Sequence, residues 1–361
     1  MQPCVTFWLG GWHPTREAVS KEIQALRPQA SSSWVVSVAA ENRLSWDLRQ
    51  RSILLPSRHQ NLAVAAMAAI ERLGQVSHAF NAMDGWLFLR ALGGRPTLYT
   101  VTTEGTPSAR DRELLARVSL FVAETRPLAD ALVAAGVDPV RVHVLHPGVD
   151  LRRFSPPRDP ASGRFTILFA SSPINASEID GRGVRLMADA ARRLPDVTFR
   201  MLWRNWGDHA AALRALNALD LPPNVVVRWG DSLDIVREYR QAHATIACFA
   251  AGVGKSAPNS VIEGLACGRP AILTDTIGLA PLVADTGSGV VTARNADGLA
   301  AGIESMRRDY GAYASRARPA AETWFDLDRF CTAYGRFYRD LAERRVPAMD
   351  ELSVARAHAV R

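Results

Sequence analysis

The sequence predicts an α/β protein of two doubly wound parallel-sheet domains, and three observations carry that expectation. The chain has 361 residues, 48% of them hydrophobic, with 25 glycines and 21 prolines, an ordinary globular composition with material for two cores. Short apolar strand patterns alternate with helical ones along its length, as they do where helices cover both faces of a parallel sheet. Two turn-rich clusters, His146-Pro147-Gly148-Val149-Asp150 and Arg153-Phe154-Ser155-Pro156-Pro157, follow one another in mid-chain and mark a linker. The expected domains are residues 1–155 and 156–324.

The elements follow in order. Residues 4–9 form a short buried-strand pattern, Gly10-Gly11 is a turn, and 15–26 is helical with Pro14 near its start. Glycines at such a turn let backbone N–H groups approach a phosphate, although a plain tight turn has the same look. Strands are expected at 34–39, 98–103 and 120–123, with helices at 61–73 and 128–135. His78 is placed near the end of a neighbouring strand, where a lone histidine is more often structural than functional. Beyond the linker come a buried strand at 165–170, Ser171-Ser172-Pro173, and Asp180-Gly181-Arg182-Gly183 entering a helix. Further strands are expected at 198–203, 225–229 and 245–249, with Trp203, Trp206 and Trp229 read first as core filler.

The most informative segment is 255–276, KSAPNSVIEGLACGRPAILTDT. Pro258 blocks helix before it, Asn259 or Ser260 can cap, and 261–267 supply a short apolar helix stopped by Gly268 and Pro270. Residues 271–273 then read as a buried parallel strand ending at Thr274-Asp275. A helix N-terminus in such a crevice favours anions. Glu263 has two readings: Ser260-Val261-Ile262-Glu263 is a capping box, or the carboxylate faces a ligand. Lys255 is either a solvated loop charge or a cation for that ligand.

Charge and cysteine usage narrow the classes. The net charge is +7, and nearly all cationic charge is arginine, with lysine only at positions 21 and 255. Arginine pairs at 152–153, 192–193, 307–308 and 344–345 are either solvated helix faces or contacts for anionic lipid headgroups. No zinc finger, RNA-binding signature or contiguous basic tail supports nucleic-acid binding. Four widely spaced cysteines support neither a metal site nor a disulfide framework. No basic flank with a long apolar run opens the chain, and 62–70 is too short to span a bilayer, so a cytoplasmic protein is expected.

The segment 255–276 resembles the donor-sugar motif of the family 4 retaining glycosyltransferases, group 1 enzymes of the GT-B fold that use nucleotide-activated sugars. The resemblance covers nearly the whole chain, by motif from 118 to 291 and by layout before that. It implies two Rossmann-like domains facing a central cleft, with a C-terminal helix at about 325–345, rich in aromatics, packing back on the first. The family motif is an acid, seven residues and a glutamate; Glu263 matches the glutamate that holds the ribose hydroxyls, and Asn259, Ser260, Val261 and Ile262 match the helix start facing diphosphate and sugar. The first acid is replaced by Lys255, which leaves the donor open because a cation suits a carboxylated sugar or the diphosphate.

Two cations that neutralise the diphosphate in the family are matched in part. Arg182-Gly183 stands at the second, arginine keeping the charge and adding bidentate reach, while Ser172 stands at the first. Gly10 and Gly11 match the glycine-rich loop, and Trp229-Gly230 lies where the nucleobase pocket forms. The family histidine that contacts the donor sugar is matched by Thr102, with Glu104 and His78 as substitutes nearby.

The function implied is retaining transfer of a hexose-type residue from a nucleoside diphosphate sugar to a saccharide or lipid-linked acceptor, in bacterial surface polysaccharide synthesis. No cofactor or metal is expected. The departures at Lys255, Ser172 and Thr102 keep open a nucleotide-sugar-binding protein without turnover, and an epimerase or hydrolase of nucleotide sugars is a third class.

Overall fold

The structure is a computed structural model that describes residues 1–39, 44–56, 60–157, 163–204, 207–230 and 234–345. It consists of two compact units, Met1–Gly148 together with the C-terminal segment from Asp328, and Val149–Leu327.

The first unit contains β1 (Cys4–Leu9), α1 (Ala18–Leu26), β2 (Ser32–Ala39), β3 (Ser45–Asp47), β4 (Ser52–Pro56), α2 (Gln60–Ile70), β5 (Val76–Ala82), α3 (Trp86–Ala91), β6 (Thr97–Thr103), α4 (Ala109–Leu115), β7 (Leu120–Ala123), α5 (Arg126–Ala134) and β8 (Val142–Val144). Its sheet order is β3-β4-β2-β1-β5-β6-β7-β8. All neighbours are parallel except β3 with β4. The order reverses between β1 and β5, which puts Gly10-Gly11 and the loop after β5 at the switch point. Helix α1 starts three residues later than expected, because the Glu17 carboxylate accepts the N–H groups of Val19 and Ser20 at 2.9 and 2.6 Å. The β3–β4 hairpin has no counterpart in the sequence reading, since both strands are short and β3 exposes its apolar side chains.

The second unit contains β9 (Thr166–Phe169), α6 (Glu178–Gly181), α7 (Val184–Arg193), β10 (Thr198–Trp203), α8 (His209–Asn217), β11 (Val225–Trp229), α9 (Ile235–Gln241), β12 (Ala244–Ala247), α10 (Asn259–Ala266), β13 (Ala271–Thr274), α11 (Ala280–Thr286), β14 (Gly289–Thr292), α12 (Ala296–Arg308) and α13 (Tyr310–Trp324). Its sheet is wholly parallel in the order β11-β10-β9-β12-β13-β14, again reversing once, between β9 and β12. The central strands β9, β12 and β13 are buried on both faces, as parallel strands are, while the edge strand β11 is partly exposed, and the core joins Phe169, Phe199, Trp203, Tyr239, Ile272 and Leu273. These two sheets are those of the GT-B fold.

The linker is tied into the second unit by one arginine. Arg318 donates to the carbonyls of Phe154 (2.7 Å), Ala266 (2.8 Å) and Leu151 (3.2 Å), so a single guanidinium satisfies the turn after Asp150 and the C-terminal end of α10. Asp150 satisfies its own turn by accepting the N–H groups of Arg152 and Arg153.

The aromatic C-terminal segment expected as a helix at about 325–345 is one helix, separated from α13 by Phe325. Phe325 is buried and its carbonyl accepts the Val149 N–H at 2.7 Å, which breaks the helix before α14 (Leu327–Ala342). Within the first unit, Tyr338 of α14 bonds His78 Nδ1 at 2.7 Å and Tyr334 bonds Thr100 Oγ1 at 2.8 Å, while His78 Nε2 meets the same Thr100 oxygen at 2.8 Å. The buried polar chain holds α14 on β5 and β6, and the His78 ring stacks on Tyr334. Glu71 plays a comparable role where β5 and β6 begin: its buried carboxylate accepts Ser77 Oγ and the N–H groups of Gly93, Gly94 and Arg95.

Burial holds the His78 imidazole well below its ordinary pKa, and burial also lowers His143 and brings His146 down to about 4. The unfolded chain takes up these protons below about pH 6.5 and the folded chain does not, so stability is complete above that pH and is lost as pH falls. The melting temperature is expected to be level from pH 8 to about 7 and to decline below about 6.5. In His78→Gln it should be lower at neutral pH but decline less steeply; an unchanged slope would remove His78 from the account.

Candidate functional site

In doubly wound sheets ligands bind outside the carboxyl ends of the strands where the order reverses. In the second unit that point lies between β9, which leads through Ser171 and Ser172 to α6, and β12, which leads through residues 248–258 to α10. The two loops are stitched together. Ala250 N–H donates to the Gly181 carbonyl at 2.7 Å, and Arg294 donates to the carbonyls of Cys248 (3.1 Å) and Asp180 (2.8 Å). Gly183 makes this approach possible, with a φ of +77° and a position at which a Cβ would lie 2.5 Å from the Cys248 carbonyl oxygen.

Arg182 ends α6 with its guanidinium largely enclosed. It donates to Glu178 and to Ser171 Oγ, each at 2.6 Å, and lies 5.5 Å above the Phe249 ring. Its Nη1 is 3.6 Å from where a Cβ on Gly254 would stand, so Arg182 adjoins the loop that carries half-buried Lys255. The structure thus brings these two expected cations to one loop pair.

Helix α10 begins at Asn259 with Pro258 as its N-cap and no side-chain cap bond, which corrects the expectation that Asn259 or Ser260 caps it. Glu263 therefore lies in the second turn and not at the third position that a capping box requires. Its carboxylate accepts the Tyr239 hydroxyl at 2.9 Å. Tyr239 is fully buried, and burial first, then the Glu263 charge, push its pKa well above the ordinary phenol value, so the hydroxyl stays a donor. Asn259 and Ser260 are half-buried, whereas the side chains of Val261 and Ile262 point into the core and only their backbone remains for a ligand. Gly264 lets the helix lie on β12, since a Cβ there would stand 2.3 Å from Thr245 Cγ2.

Ser172 departs from its expected role. It is buried, donates to the Leu202 carbonyl at 3.1 Å and accepts the Arg204 N–H at 2.9 Å, so its hydroxyl joins β9 to β10 instead of facing a phosphate. Trp229, 40% exposed at the end of β11, lies 5.5 Å from buried Trp203 and 5.6 Å edge-on from His209, and Gly230 follows at φ +140°. Trp203 is core, Trp229 offers a face, and Trp206 lies outside the described residues.

In the first unit, Gly10 is exposed and a Cβ there would meet nothing, while Gly11 is half-buried beside His13. The glycine at 10 is required by neither φ nor protein packing. Thr102 is buried at the end of β6 with its hydroxyl 3.5 Å from the Asn81 carbonyl, and half-buried Glu104 follows. His78 does not join them. It sits early in β5, fully buried, with both ring nitrogens bonded in the core, which withdraws it from the catalytic candidates.

Sequence reasoning missed Tyr239 and Glu178 and gave Ser171 no role; only the fold brings Tyr239 to Glu263 and Ser171 to Arg182, whereas Glu178 stands four residues before Arg182, a spacing the local sequence does carry. Several of the arginine pairs are neutralised locally: Arg192 with Asp189, Arg193 with Asp297, Arg307 with Asp196 and Glu304, and Arg345 with Asp340. Among the described residues no three His, Cys, Asp or Glu side chains gather as a metal site, and no helix is long and apolar enough to cross a membrane.

Residues 165–309 match the family described as glycosyl transferases group 1, a span that lies within the second unit. The D-inositol 3-phosphate glycosyltransferase of Mycobacteroides abscessus is 29% identical over 277 residues, 68% of this chain and 58% of that protein. Among solved structures, Anabaena HepE in complex with UDP superposes with a TM-score of 0.72 at 16% identity, covering 93% of this chain and 99% of that one. The same protein has been solved with UDP-glucose. WaaG, a glycosyltransferase involved in lipopolysaccharide biosynthesis, superposes with a TM-score of 0.63 at 17% identity, covering 92% and 99%.

The close approach at Gly264 generates a prediction. Gly264→Ala is expected to lower stability by about 1–3 kcal/mol through overpacking against Thr245, measured by denaturant unfolding. Removing Cγ2 with Thr245→Ser should restore part of the loss; no recovery would mean that the helix shifts bodily instead.

Proposed function

We propose that this chain, a GT-B protein whose second unit carries the group 1 glycosyl transferase region, is a retaining glycosyltransferase that moves a hexose-type residue from a nucleoside diphosphate sugar to a saccharide or lipid-linked acceptor. The observation that carries the reading is Glu263, held by buried Tyr239 on the helix whose start stands at the switch point beside Arg182 and Lys255.

In this reading Glu263 accepts the ribose hydroxyls, and Trp229 with Gly230 forms one wall for the base. The diphosphate meets the N–H groups at the start of α10 together with Arg182 and Lys255, whose charges stabilise the leaving group as the glycosidic bond breaks. In the first unit, the bare Gly10-Gly11 turn, Thr102 and Glu104 lie at the carboxyl ends of β1 and β6 and are the candidates that this unit contributes. Transfer then depends on electrostatic stabilisation and on positioning the acceptor hydroxyl on the face the leaving group departs from. The UDP and UDP-glucose complexes of HepE favour a uridine donor, and the involvement of WaaG in lipopolysaccharide biosynthesis favours surface polysaccharide synthesis. A second reading, binding without turnover, is favoured by one observation: the Ser172 hydroxyl is spent on β10.

A thermal-shift screen against UDP-, GDP-, ADP- and dTDP-sugars tests the proposal, because a ligand that binds only the folded state raises the melting temperature. One donor class is expected to stabilise the protein. The shift should vanish in Glu263→Ala, and Tyr239→Phe should weaken binding roughly tenfold, the loss of one hydrogen bond to a charged group. A shift with no donor would overturn the proposal. Donor turnover with an acceptor, giving a product of unchanged anomeric configuration, separates the transferase from the binder.

A further inference from the structure

Among the described residues of the first unit, Leu44, Trp46, Leu48 and Leu62 are large exposed apolar side chains on the β3–β4 hairpin and α2, whereas Met1, Leu73, Val133 and Val140 are exposed elsewhere. Leu44, just before β3, Trp46 within it and Leu48 in the turn after it are 54%, 65% and 70% exposed. Trp46 is paired directly with Ile53 of β4, which places both on the same face of the sheet. Ile53 in turn packs on the core that contains Met67 of α2 together with Val64, Ala66 and Ile70, so α2 covers that face. Helix α2 is itself unusual for a surface helix: it has no charged residue, and its outward side shows Leu62, 70% exposed, with Ala65, Ala68 and Ala69. Single exposed apolar residues need no explanation, whereas an apolar hairpin edge on the same sheet face as an uncharged helix does.

The charges around the hairpin decide what covers it. Its turn carries exposed Arg49 and Arg51, and Arg27 reaches the same turn by donating to the Gln50 carbonyl at 2.9 Å. Burial, and second the Arg51 charge, lower the Arg27 pKa, which shows like charges crowded together. Among the described residues of the turn the counter-charge is Asp47, whose carboxylate already accepts the N–H groups of Arg49 and Gln50 at 2.8 and 3.0 Å. A second copy of the same face would set arginine against arginine, and β3 has only three residues with which to template strand pairing. An apolar edge led by tryptophan, with arginines at its tip, matches the boundary of an anionic bilayer: tryptophan favours the headgroup level and each cation gains from the surface potential.

We infer that the β3–β4 hairpin, with the outward side of α2, docks the first unit on an anionic lipid surface. The contact places a lipid-linked acceptor within reach of a protein without a spanning helix among its described residues, but it rests on residues separate from the donor site.

The test is flotation of the full chain with phosphatidylcholine vesicles made with and without phosphatidylglycerol. Wild type is expected to float only with the anionic vesicles and to be released by salt. Trp46→Ser with Leu48→Ser, and separately Arg49→Glu with Arg51→Glu, should each weaken vesicle binding roughly tenfold or more. Both variants should keep the wild-type melting temperature and donor-induced shift, because the side chains are exposed and outside the donor site. Absence of wild-type binding, or unchanged binding in both variants, overturns the inference. So does a wild-type dimer in sedimentation velocity that the Trp46→Ser, Leu48→Ser variant dissociates, which would make the face an interface between copies. Because the assay contains no nucleotide sugar, its failure is distinct from failure of the transferase reading.

Discussion

The reversal of strand order between β9 and β12 is the constraint from which the second unit's site follows. Parallel strands on either side of the reversal send their loops apart, and the gap must be bridged by something other than a third strand connection. Here backbone and arginine do it: Ala250 bonds Gly181, Arg294 spans Cys248 and Asp180, and Gly183 lets the two loops touch. The same contacts hold Arg182 against the Gly254–Lys255 turn and set the start of α10 at the opening. A fixed cation and a helix N-terminus at one opening are what an anionic ligand requires, and both are held by interactions made before any ligand arrives.

Buried polar groups do the remaining positioning in both units. Tyr239 has no solvent to serve and gives its hydroxyl to Glu263, which orients one carboxylate at the edge of an apolar helix. In the first unit His78, Thr100, Tyr334 and Tyr338 form a closed polar chain that locks α14 across two strands. Such networks are costly to leave half-satisfied, so they specify a single arrangement of the elements that contribute to them. The arginine-rich composition is visible in the same role. Arg318 closes three carbonyls at once, and buried Arg269 reaches the Arg240 carbonyl, tasks for which a planar guanidinium is suited and an ammonium is not.

The linear pattern was a good guide where local chemistry and tertiary demand agree. The strands at 4–9, 120–123 and 198–203 coincide with β1, β7 and β10, because largely apolar runs bounded by turn residues have no better use than a buried parallel strand, and 225–229 coincides with the partly exposed edge strand β11. It misled where a distant partner intervened. Glu17 caps α1 three residues beyond Pro14, and Pro258 and Tyr239 take α10 and Glu263 out of a capping box. His78 was legible as a polar residue in an apolar run, but its partners lie 22 and 260 positions away.

By itself the sequence determined the alternation of strands and helices, the turn-rich junction, and the segment around Glu263 whose order of breaker, helix, glycine and strand is local chemistry. The tertiary structure alone decided which polar groups are available to a ligand. Arg182 and Lys255 adjoin one loop pair, Ser172 is consumed by β10, Val261 and Ile262 turn inward, and Tyr239 stands behind Glu263. The physical reason is that whether a hydroxyl, imidazole or carboxylate is free to act depends on the partner it meets after folding, and hydrogen bonds between residues far apart in the chain leave no periodic mark on it.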